Sequence, residues 1–353
     1  MPPVTVRILH PLPDPSTDDL VRWVGAARSR IAERHRRGFE RVGASDVQVI
    51  AGGADGRPFG ARLRESLDRD RPCGLVILGS GSMPLATASD RRAFVRSAQA
   101  ADRQALANNR YSADVVAIAR ADLLPDVPDL ATDNLLPRWL SEAAGYRVAD
   151  LRRRWRLAVD VDGPLDLLLA DGSARESVDA ADRGIDTGRV AARLDALRAV
   201  TSDIRAELVV AGRTSAAALA WLEHGTRSRT RALVEERGLR TSIPGQRPPA
   251  AILGMLLDRD GPGSLAGHLA RLGDGAILDT RVLLAHRLGA NEAAWPVAAD
   301  RFASDLLLHE RIADPWLAEL TRSAAEASIP IVLGGHTIVG PGLRLALRSA
   351  PPR

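Results

Sequence analysis

The stretch CGLVILG (Cys73–Gly79) decides the fold class of this chain, because it is a short, continuous apolar run that ends in glycine. Such a run is typical of a strand buried on both faces of a parallel sheet. The runs VTVRIL (Val4–Leu9) and VQVIAG (Val47–Gly52) precede it, and ADVVAIA (Ala113–Ala119) and RLAVDVD (Arg156–Asp162) follow it. We predict a strand at each of these positions.

Segments with helical spacing separate the predicted strands. Apolar residues recur in them every three or four positions, which predicts amphipathic helices. These helices are expected at residues 18–42, 59–67, 89–105 and 134–144. Alternation of strand and helix at this interval predicts an α/β fold of the Rossmann-like type, in which helices cover both faces of an open, mostly parallel sheet.

A polar stretch rich in Asp and Arg interrupts the apolar pattern at residues 173–190. We therefore expect a first α/β domain at 1–172, a linker at 173–190 and a second α/β domain at 191–353. Strands are predicted in the second domain at 206–212, 275–280 and 329–335, and helices at 216–237, 263–272, 282–288 and 315–327. The apolar run at 250–257 fits either a helix or a strand.

Composition excludes several kinds of chemistry. The chain has 353 residues, and all 48 of its basic residues are arginine, against 44 acidic residues. Without lysine there is no Schiff-base lysine, no P-loop lysine and no lysine nucleophile. Any phosphate site must therefore use arginine, backbone N–H groups or a metal. The single cysteine, Cys73, excludes an intramolecular disulfide and a cluster of thiolate metal ligands.

Charge and hydropathy also limit the partners. The net charge is only +4, whereas nucleic-acid-binding proteins usually concentrate basic residues on one face. No apolar run approaches the roughly 18 residues of a membrane helix, and the first residues do not resemble a secretory signal. We expect a soluble, cytoplasmic protein with small-molecule partners, and neither nucleic acid nor a membrane among them.

Three segments of the first half occur in a known order. LVILGSGSMPLAT (Leu75–Thr87) is similar to a strand and loop with a D-x-P-L element, and ANNRYSADVVAIA (Ala107–Ala119) occupies the place of the central strand that follows it. RLAVDVDGPLDLLL (Arg156–Leu169) is similar to a closing D-[IV]-D-[TS]-P-x-D-L segment. Together they resemble the nucleotidyltransferases of the GT-A-like fold, such as those that make molybdenum dinucleotide cofactors or guanylylate phospholactate.

The resemblance implies that the protein condenses a nucleoside triphosphate with a small phosphorylated or hydroxylated acceptor, with Mg²⁺ on the phosphates. Asp160 and Asp162 are the candidate metal ligands. They lie two residues apart at the end of a predicted strand, where both carboxylates would point to one face and could share an ion. The alternative is that the segment Gly163–Asp166 only caps the following helix. The second domain would shape the acceptor site or form a homodimer.

Two further segments are candidates for binding the nucleotide. The glycine-rich turn after Cys73–Gly79 could hold a phosphate through backbone N–H groups, or simply permit a tight turn. The polar segment before Ala113–Ala119 could read a base edge and bind a phosphate, or form an Asx turn. The candidate binding residues are Gly79, Ser80, Gly81, Asn108, Asn109 and Arg110, and Arg110 is also a candidate catalytic residue.

The second domain offers its own candidates. Gly212 and Arg213 follow a predicted strand and precede a predicted helix, where free N–H groups can bind an anion. His336 follows two glycines after the last predicted strand and is a candidate general base, although a loop histidine often has no such role. A site in this domain would be supported if Gly212–Ser215 and Gly334–His336 lay at one sheet edge beside a pocket.

The chain departs from the family pattern at two places. Residues 10–20 (HPLPDPSTDDL) replace a glycine-rich loop that carries an Arg and a Lys, so arginines of Ala26–Arg37 would have to bind the triphosphate. Ser82 and Met83 stand before Pro84, where the family has a metal-binding Asp. The alternative function is therefore a non-catalytic subunit of the same fold that binds a nucleotide or sugar nucleotide.

Overall fold

The computed structural model describes residues 2–11, 18–52, 57–171, 175–239 and 246–348. These residues divide into two compact units. The first contains the described residues within 1–16 and 25–161, and the second contains those within 17–24, 162–239 and 246–348. The longest stretch of the first unit ends at residue 161, and the domain boundary expected at residue 172 stays a prediction.

A six-stranded sheet forms the first unit. Its strands are β1 (Val4–Pro11), β2 (Asp46–Gly52), β3 (Gly74–Gly79), β4 (Gln104–Ala107), β5 (Val115–Ala119) and β6 (Arg147–Asp150). Their spatial order is β2-β1-β3-β5-β4-β6. Strand β5 runs antiparallel to both of its neighbours, and the other pairs are parallel. This confirms the prediction of an open, mostly parallel sheet.

Helices cover both faces of this sheet. They are α1 (Asp19–Arg41), α2 (Phe59–Asp70), α3 (Ala88–Ala98) and α4 (Leu136–Glu142). Alternate residues of β3 belong to two apolar clusters: Leu75 and Ile77 pack with residues of α2 and α4, and Val76 and Leu78 pack with residues of α1 and α3. Because β3 is buried from both sides, its sequence is apolar throughout.

Two short strands of the first unit were not predicted. The helix expected at 89–105 ends at Ala98, and Gln104–Ala107 forms β4 instead. Strand β6 pairs with β4 at the edge of the sheet and alternates between exposed and half-buried residues. Each has only four residues, which is too short for a clear periodic signal.

The strand predicted at Arg156–Asp162 is wrong. Trp155–Ala158 is a 3₁₀ turn, and within the segment only Asp160 forms a β-bridge, to Ser82. The alternating pattern arises because Leu157, Val159 and Val161 are buried while the residues between them are partly exposed. Alternating burial therefore does not require a paired strand, and the argument that a strand aligns Asp160 with Asp162 no longer holds.

The second unit is built on a four-stranded parallel sheet. Its strands are β7 (Glu207–Gly212), β8 (Arg229–Val234), β9 (Gly275–Asp279) and β10 (Ile331–Gly334), in the spatial order β10-β9-β7-β8. Its helices are α5 (Pro164–Ala170), α6 (Arg175–Asp182), α7 (Gly188–Ser202), α8 (Ala216–Gly225), α9 (Ile252–Asp260), α10 (Leu265–Ala270), α11 (Thr280–Leu288), α12 (Ala298–Asp305), α13 (Pro315–Ala325), α14 (His336–Val339) and α15 (Leu343–Ala346). This confirms a second α/β structure.

Three details of the second unit differ from expectation or resolve an ambiguity. The helix expected at 216–237 ends at Gly225, and Arg229–Val234 forms the edge strand β8. The expected linker contains α6, whose Ala180 is fully buried, and the first residues of α7, while residues 173 and 174 lie outside the described residues. The ambiguous run at 250–257 is mostly helical, in α9.

None of the helices in the described ranges combines the length and the apolar character needed to cross a lipid bilayer.

Candidate functional site

The strand order of the first unit directs attention to the carboxyl ends of β1 and β3. Strand β1 lies between β2 and β3, so the chain crosses from β1 to one side and returns to the other. In open α/β sheets, the crevice outside the strand ends at such a switch point is where ligands bind. The described residues at this edge include His10 and the turn Gly79–Met83. Residues 12–17, where the family has its triphosphate loop, lie outside the described residues.

The turn Gly79–Met83 pairs with the segment that follows the 3₁₀ turn. The Val161 N–H donates to the Gly81 carbonyl at 3.1 Å, and the Met83 N–H donates to the Val159 carbonyl at 3.1 Å. These two bonds flank the Ser82–Asp160 bridge. Two of the three segments that resemble the family are therefore joined directly.

Hydrogen bonds of Asn108 and Asp114 join the remaining segment, Ala107–Ala119, to the other two. The Asn108 amide donates to the Leu157 carbonyl at 3.0 Å and to the Asp114 carboxylate at 2.9 Å. The Gly79 N–H donates to the Asp114 carbonyl at 3.3 Å. All three segments thus meet in the first unit, at the carboxyl end of β3.

Gly81 allows a close approach between the turn and two charged side chains. A Cβ at this position would lie 2.7 Å from the Val161 carbonyl oxygen and 3.2 Å from both Arg28 Nε and Asp160 Oδ1. Arg28 Nε also donates to the Val161 carbonyl at 2.7 Å. Gly79 differs, because a Cβ there would meet no described atom within 4 Å. The turn therefore has charged groups packed at Gly81 and open space at Gly79.

His10 is held in place beside this turn. Its Nδ1 lies 3.0 Å from Ser80 Oγ and its Nε2 lies 2.9 Å from Ser29 Oγ. The Ser29 hydroxyl donates to the Gly25 carbonyl at 3.1 Å, so its oxygen accepts the hydrogen bond from the N–H at His10 Nε2. Nδ1 then accepts from the Ser80 hydroxyl. Burial, and secondarily Arg28, lower the pKa of His10, which favours this neutral form.

His10 and Ser29 were not among the site residues predicted from the sequence. His10 could have been found as a polar residue at the carboxyl end of a buried strand, the position where α/β proteins place ligand-binding groups. Ser29 had no signal of its own, because its role depends on how α1 packs beside β1.

The polar cluster at residues 108–110 divides between two roles. The Asn108 oxygen accepts from the N–H groups of Asp114 and Val115, so its amide is fully engaged. The Asn109 oxygen accepts from the Tyr111 N–H at 3.1 Å. The Asn109 contact is that of an Asx turn, whereas Asn108 ties the ends of the loop between β4 and β5 together. The Arg110 guanidinium instead lies 5.6 Å from the centre of the exposed Tyr111 ring, and its proposed roles stay predictions.

The two carboxylates predicted to share Mg²⁺ have different neighbours. The Asp160 carboxylate lies beside Gly81 in the first unit, as Arg28 does, and Asp162 belongs to the second unit, where its Oδ2 lies 3.8 Å from His336 Nδ1. Within the described residues, no group of three His, Cys, Asp or Glu side chains is placed to hold a metal ion. A hard cation requires converging oxygen ligands, and the shared magnesium site at Asp160 and Asp162 stays a prediction.

The second unit brings its own predicted residues to one edge. Strands β7, β9 and β10 are parallel and adjacent, so Gly212–Ser215 and Gly334–His336 both lie at their carboxyl ends. A cavity of about 10 Å³ lies beside Gly212 and Asp279, which is room for about one water molecule. The two loops share an edge, as a second-domain site requires, but this cavity is too small for a substrate.

Buried ion pairs fill this edge. Arg213 binds both carboxylate oxygens of Asp279, at 2.6 and 3.1 Å, and both side chains are almost completely buried. Gly212 has φ of +130°, and a Cβ there would lie 2.3 Å from Asp279 Cβ, so only glycine fits. Although burial raises it, the positive charge and hydrogen bonds of Arg213 hold the pKa of Asp279 below its usual value. Arg213 therefore binds a carboxylate of the protein itself.

A second buried pair lies next to the first. The Arg281 guanidinium binds both oxygens of Asp305, with Nη2 and Oδ2 2.8 Å apart. The backbone N–H of Arg281 donates to the Asp279 carboxylate at 3.2 Å. Asp166 accepts from the N–H groups of residues 162 and 163 at the start of α5. Burial and the nearby charges of Asp162 and Asp305 raise the pKa of Asp166 to about 8. With Asp166 protonated, two arginines balance two carboxylates.

His336 stands at the exposed side of this network. Its ring and the Asp162 carboxylate are each about one-third exposed, at 31% and 28%. The 3.8 Å separation of His336 Nδ1 and Asp162 Oδ2 is an ion pair when the histidine is protonated. The general-base role predicted for His336 stays a prediction.

Comparison with known proteins assigns no family: no family model matches the chain, and no curated protein sequence matches it significantly.

Proposed function

We propose that the first unit binds a nucleoside triphosphate at the carboxyl ends of β1 and β3, and that the protein transfers the nucleotidyl group to a small acceptor. The observation that carries the proposal is the convergence of three separate segments at this edge. Hydrogen bonds at Gly79, Gly81 and Asn108 link all three. Convergence at a switch point is what a nucleotide site of this fold class needs.

The chemical groups at this edge suit a phosphate chain. Arg28 places a positive charge beside Gly81, where the Asp160 carboxylate also lies, and Gly79 has open space over its Cα. Backbone N–H groups and arginine are also the phosphate-binding groups that a lysine-free chain retains. The neutral His10 adds no charge here and positions Ser80 at the start of the turn.

In the proposed reaction, an oxygen of the acceptor attacks the α-phosphorus of the nucleotide. A bond forms between that oxygen and phosphorus, and the bond between the α-phosphorus and the bridging oxygen breaks. The electron pair leaves with pyrophosphate. A phosphate acceptor attacks as its anion, whereas a hydroxyl acceptor releases its proton to water. Arg28 would stabilise the negative charge that develops on the phosphoryl oxygens.

One observation favours the second candidate, a nucleotide-binding protein without transferase activity. Ser82 occupies the position before Met83-Pro84 where a carboxylate would be expected, and its hydroxyl donates to the Gly79 carbonyl at 2.7 Å. Ser82 is 1% exposed. It stabilises the turn and offers no ligand to a metal, so catalysis would need a different arrangement for the pyrophosphate.

Calorimetry with each of the four common nucleoside triphosphates, with and without Mg²⁺, tests binding. We expect saturable binding of at least one, and about tenfold weaker binding by Arg28→Gln, because a charge-assisted contact contributes about 1.4 kcal/mol or more. The control is Arg37→Gln, on the exposed face of α1. Absence of binding to all four nucleotides would overturn the proposal.

A pyrophosphate-release assay separates the two candidates. Phosphorylated and hydroxylated small acids serve as acceptors, each with the nucleotide that binds. Release that depends on the acceptor supports a nucleotidyltransferase. Binding without release over the whole acceptor panel supports the non-catalytic alternative.

A further inference from the structure

A cavity of the first unit is lined by the residues that directly follow the nucleotide turn, from Pro84 onward. Its volume is about 430 Å³, and it lies between the second half of α1 and the segment that leads into α3. Along the axis of α1, its nearest lining residue, Arg34, is roughly 9 Å from Arg28 at 1.5 Å per residue. The lining residues are Arg34, Gly38, Arg41, Val42, Pro84, Leu85, Ala86, Ala88, Arg91 and Arg92.

The charge of this cavity has one sign. Four of the lining residues are arginines, and none of the described lining residues is acidic. The glutamates of this part of α1 face another way: Glu33 binds Arg36 and Arg37, and Glu40 binds Arg36. These two glutamates therefore pair with arginines outside the lining of the cavity, and Arg34 within the lining donates to the Pro84 carbonyl at 2.8 Å.

Arg91 forms the floor of the cavity. Its side chain is 6% exposed, and its Nε is buried without a hydrogen-bond partner among the described residues. Nη1 donates to the Ala86 carbonyl at 2.9 Å, and Nη2 lies 3.3 Å from His35 Nδ1. A Cβ on Gly38 would lie 2.6 Å from Arg91 Nε. The missing side chain at position 38 is therefore what lets this guanidinium lie against α1.

His35 fixes Arg91 without neutralising it. His35 Nε2 donates to the Ser82 carbonyl at 2.8 Å, so its Nδ1 is the atom that accepts from Arg91. Burial, with Arg91 nearby, lowers the pKa of His35 to about 3 and keeps the ring neutral. Burial and the charge of Arg34 lower the pKa of Arg91. The guanidinium is thus held rigidly in a place where like charges repel it.

We propose that this arginine cavity is a second anion site, which binds the phosphate or pyrophosphate group of a small molecule. The rim residues Arg34 and Arg41 and the floor residue Arg91 would contact the anion from two sides. A guanidinium is the side chain best suited to phosphate oxygens. The apolar wall formed by Val42, Pro84 and Leu85 would contact the uncharged part of the same molecule.

Pyrophosphate is the probe for this proposal, with binding to the full chain measured by calorimetry. The rim variant Arg34→Gln/Arg41→Gln removes two exposed arginines, so the fold is expected to persist. We expect its affinity for pyrophosphate to fall by about tenfold or more. The matched control Arg36→Gln/Arg37→Gln removes two arginines from the same helix but outside the cavity, and its affinity should change by less than about twofold.

A further variant, Gly38→Val, tests the cavity without removing charge, because its side chain would displace Arg91. We expect weaker pyrophosphate binding from it at unchanged net charge. Equal losses in the rim and control variants would overturn the proposal, as would the absence of saturable pyrophosphate binding by the wild-type chain. Arg28→Gln distinguishes the two sites, since it should weaken only the nucleotide site.

Discussion

The carboxyl edges of the two sheets resemble each other in topology and differ in how they use charge. In both, two central parallel strands form a switch point: β1 with β3 in the first unit, and β7 with β9 in the second. In the second unit, Arg213 and Arg281 bind the buried carboxylates of Asp279 and Asp305. In the first, the described residues at the edge include a glycine-rich turn, a neutral histidine, and Arg28 and Asp160, which both lie beside Gly81.

This difference teaches that topology alone does not identify a ligand site. A buried arginine that already donates to both oxygens of a carboxylate cannot use the same N–H groups to bind a phosphate. The second edge is thus closed by the protein's own charges, whereas the first keeps open space over Gly79. Variants at the second edge should therefore mainly lose stability, and variants at the first edge should mainly lose ligand binding.

Arg281→Met should have the largest effect. It leaves Asp305, which is 2% exposed, without its partner, and it removes a positive charge from beside Asp279. Breaking a buried ion pair from one side costs about 3–5 kcal/mol. The measurement is hydrogen exchange of the β7 and β9 amides, which reports the free energy of unfolding of this sheet.

The control for this prediction is Arg259→Met. Arg259 binds Asp260 at the surface and is 69% exposed, so its loss should cost less than about 1 kcal/mol. Similar exchange rates in both variants would show that the buried pair does not hold this edge closed.

Gly81→Ala should have an intermediate effect on the first edge. Its Cβ would lie 2.7 Å from the Val161 carbonyl oxygen, which is backbone and cannot move aside easily. We expect a cost of about 1–3 kcal/mol, as for overpacking elsewhere, and weaker nucleotide binding. Thermal unfolding and calorimetry measure the two effects.

Gly79→Ala is the matched comparison, because its Cβ would meet no described atom and its φ is compatible with alanine. Its stability should be equal to or slightly above that of the wild type. If both substitutions cost the same, close packing at Gly81 is not what shapes the turn.

The strands that form both edges could be predicted, and the contacts between them could not. The apolar runs before Gly79, Gly212 and Gly334 mark strands that end at the glycines. The partner of Arg281 could not be predicted, because Asp305 lies 24 residues further on, at the end of another helix. RLAVDVD was misread for a related reason: burial by neighbouring elements produced a strand-like alternation without a strand.

The smallest effect is expected from His10→Gln, and it depends on pH. Burial lowers the folded-state pKa of His10 below 6.5, so below that pH the unfolded chain binds a proton that the folded chain does not. The wild type therefore loses stability as pH falls from about 6.5 through the folded-state pKa, at no more than about 1.4 kcal/mol per pH unit for one group. Glutamine does not titrate. Urea unfolding at each pH should therefore show that the free energy of unfolding of the variant rises relative to that of the wild type as pH falls from about 7 to about 5.

His35 is present in both proteins, so its own contribution cancels from this difference. Asp166 gives the second edge the opposite dependence: its raised pKa means that the folded chain holds a proton there that the unfolded chain releases above about pH 4. Through these two groups alone, falling pH weakens the first edge below about pH 6.5, and rising pH weakens the second edge between about pH 4 and pH 8. A His10→Gln curve parallel to the wild type would show that the histidine is hydrated and does not hold Ser80 as a neutral acceptor.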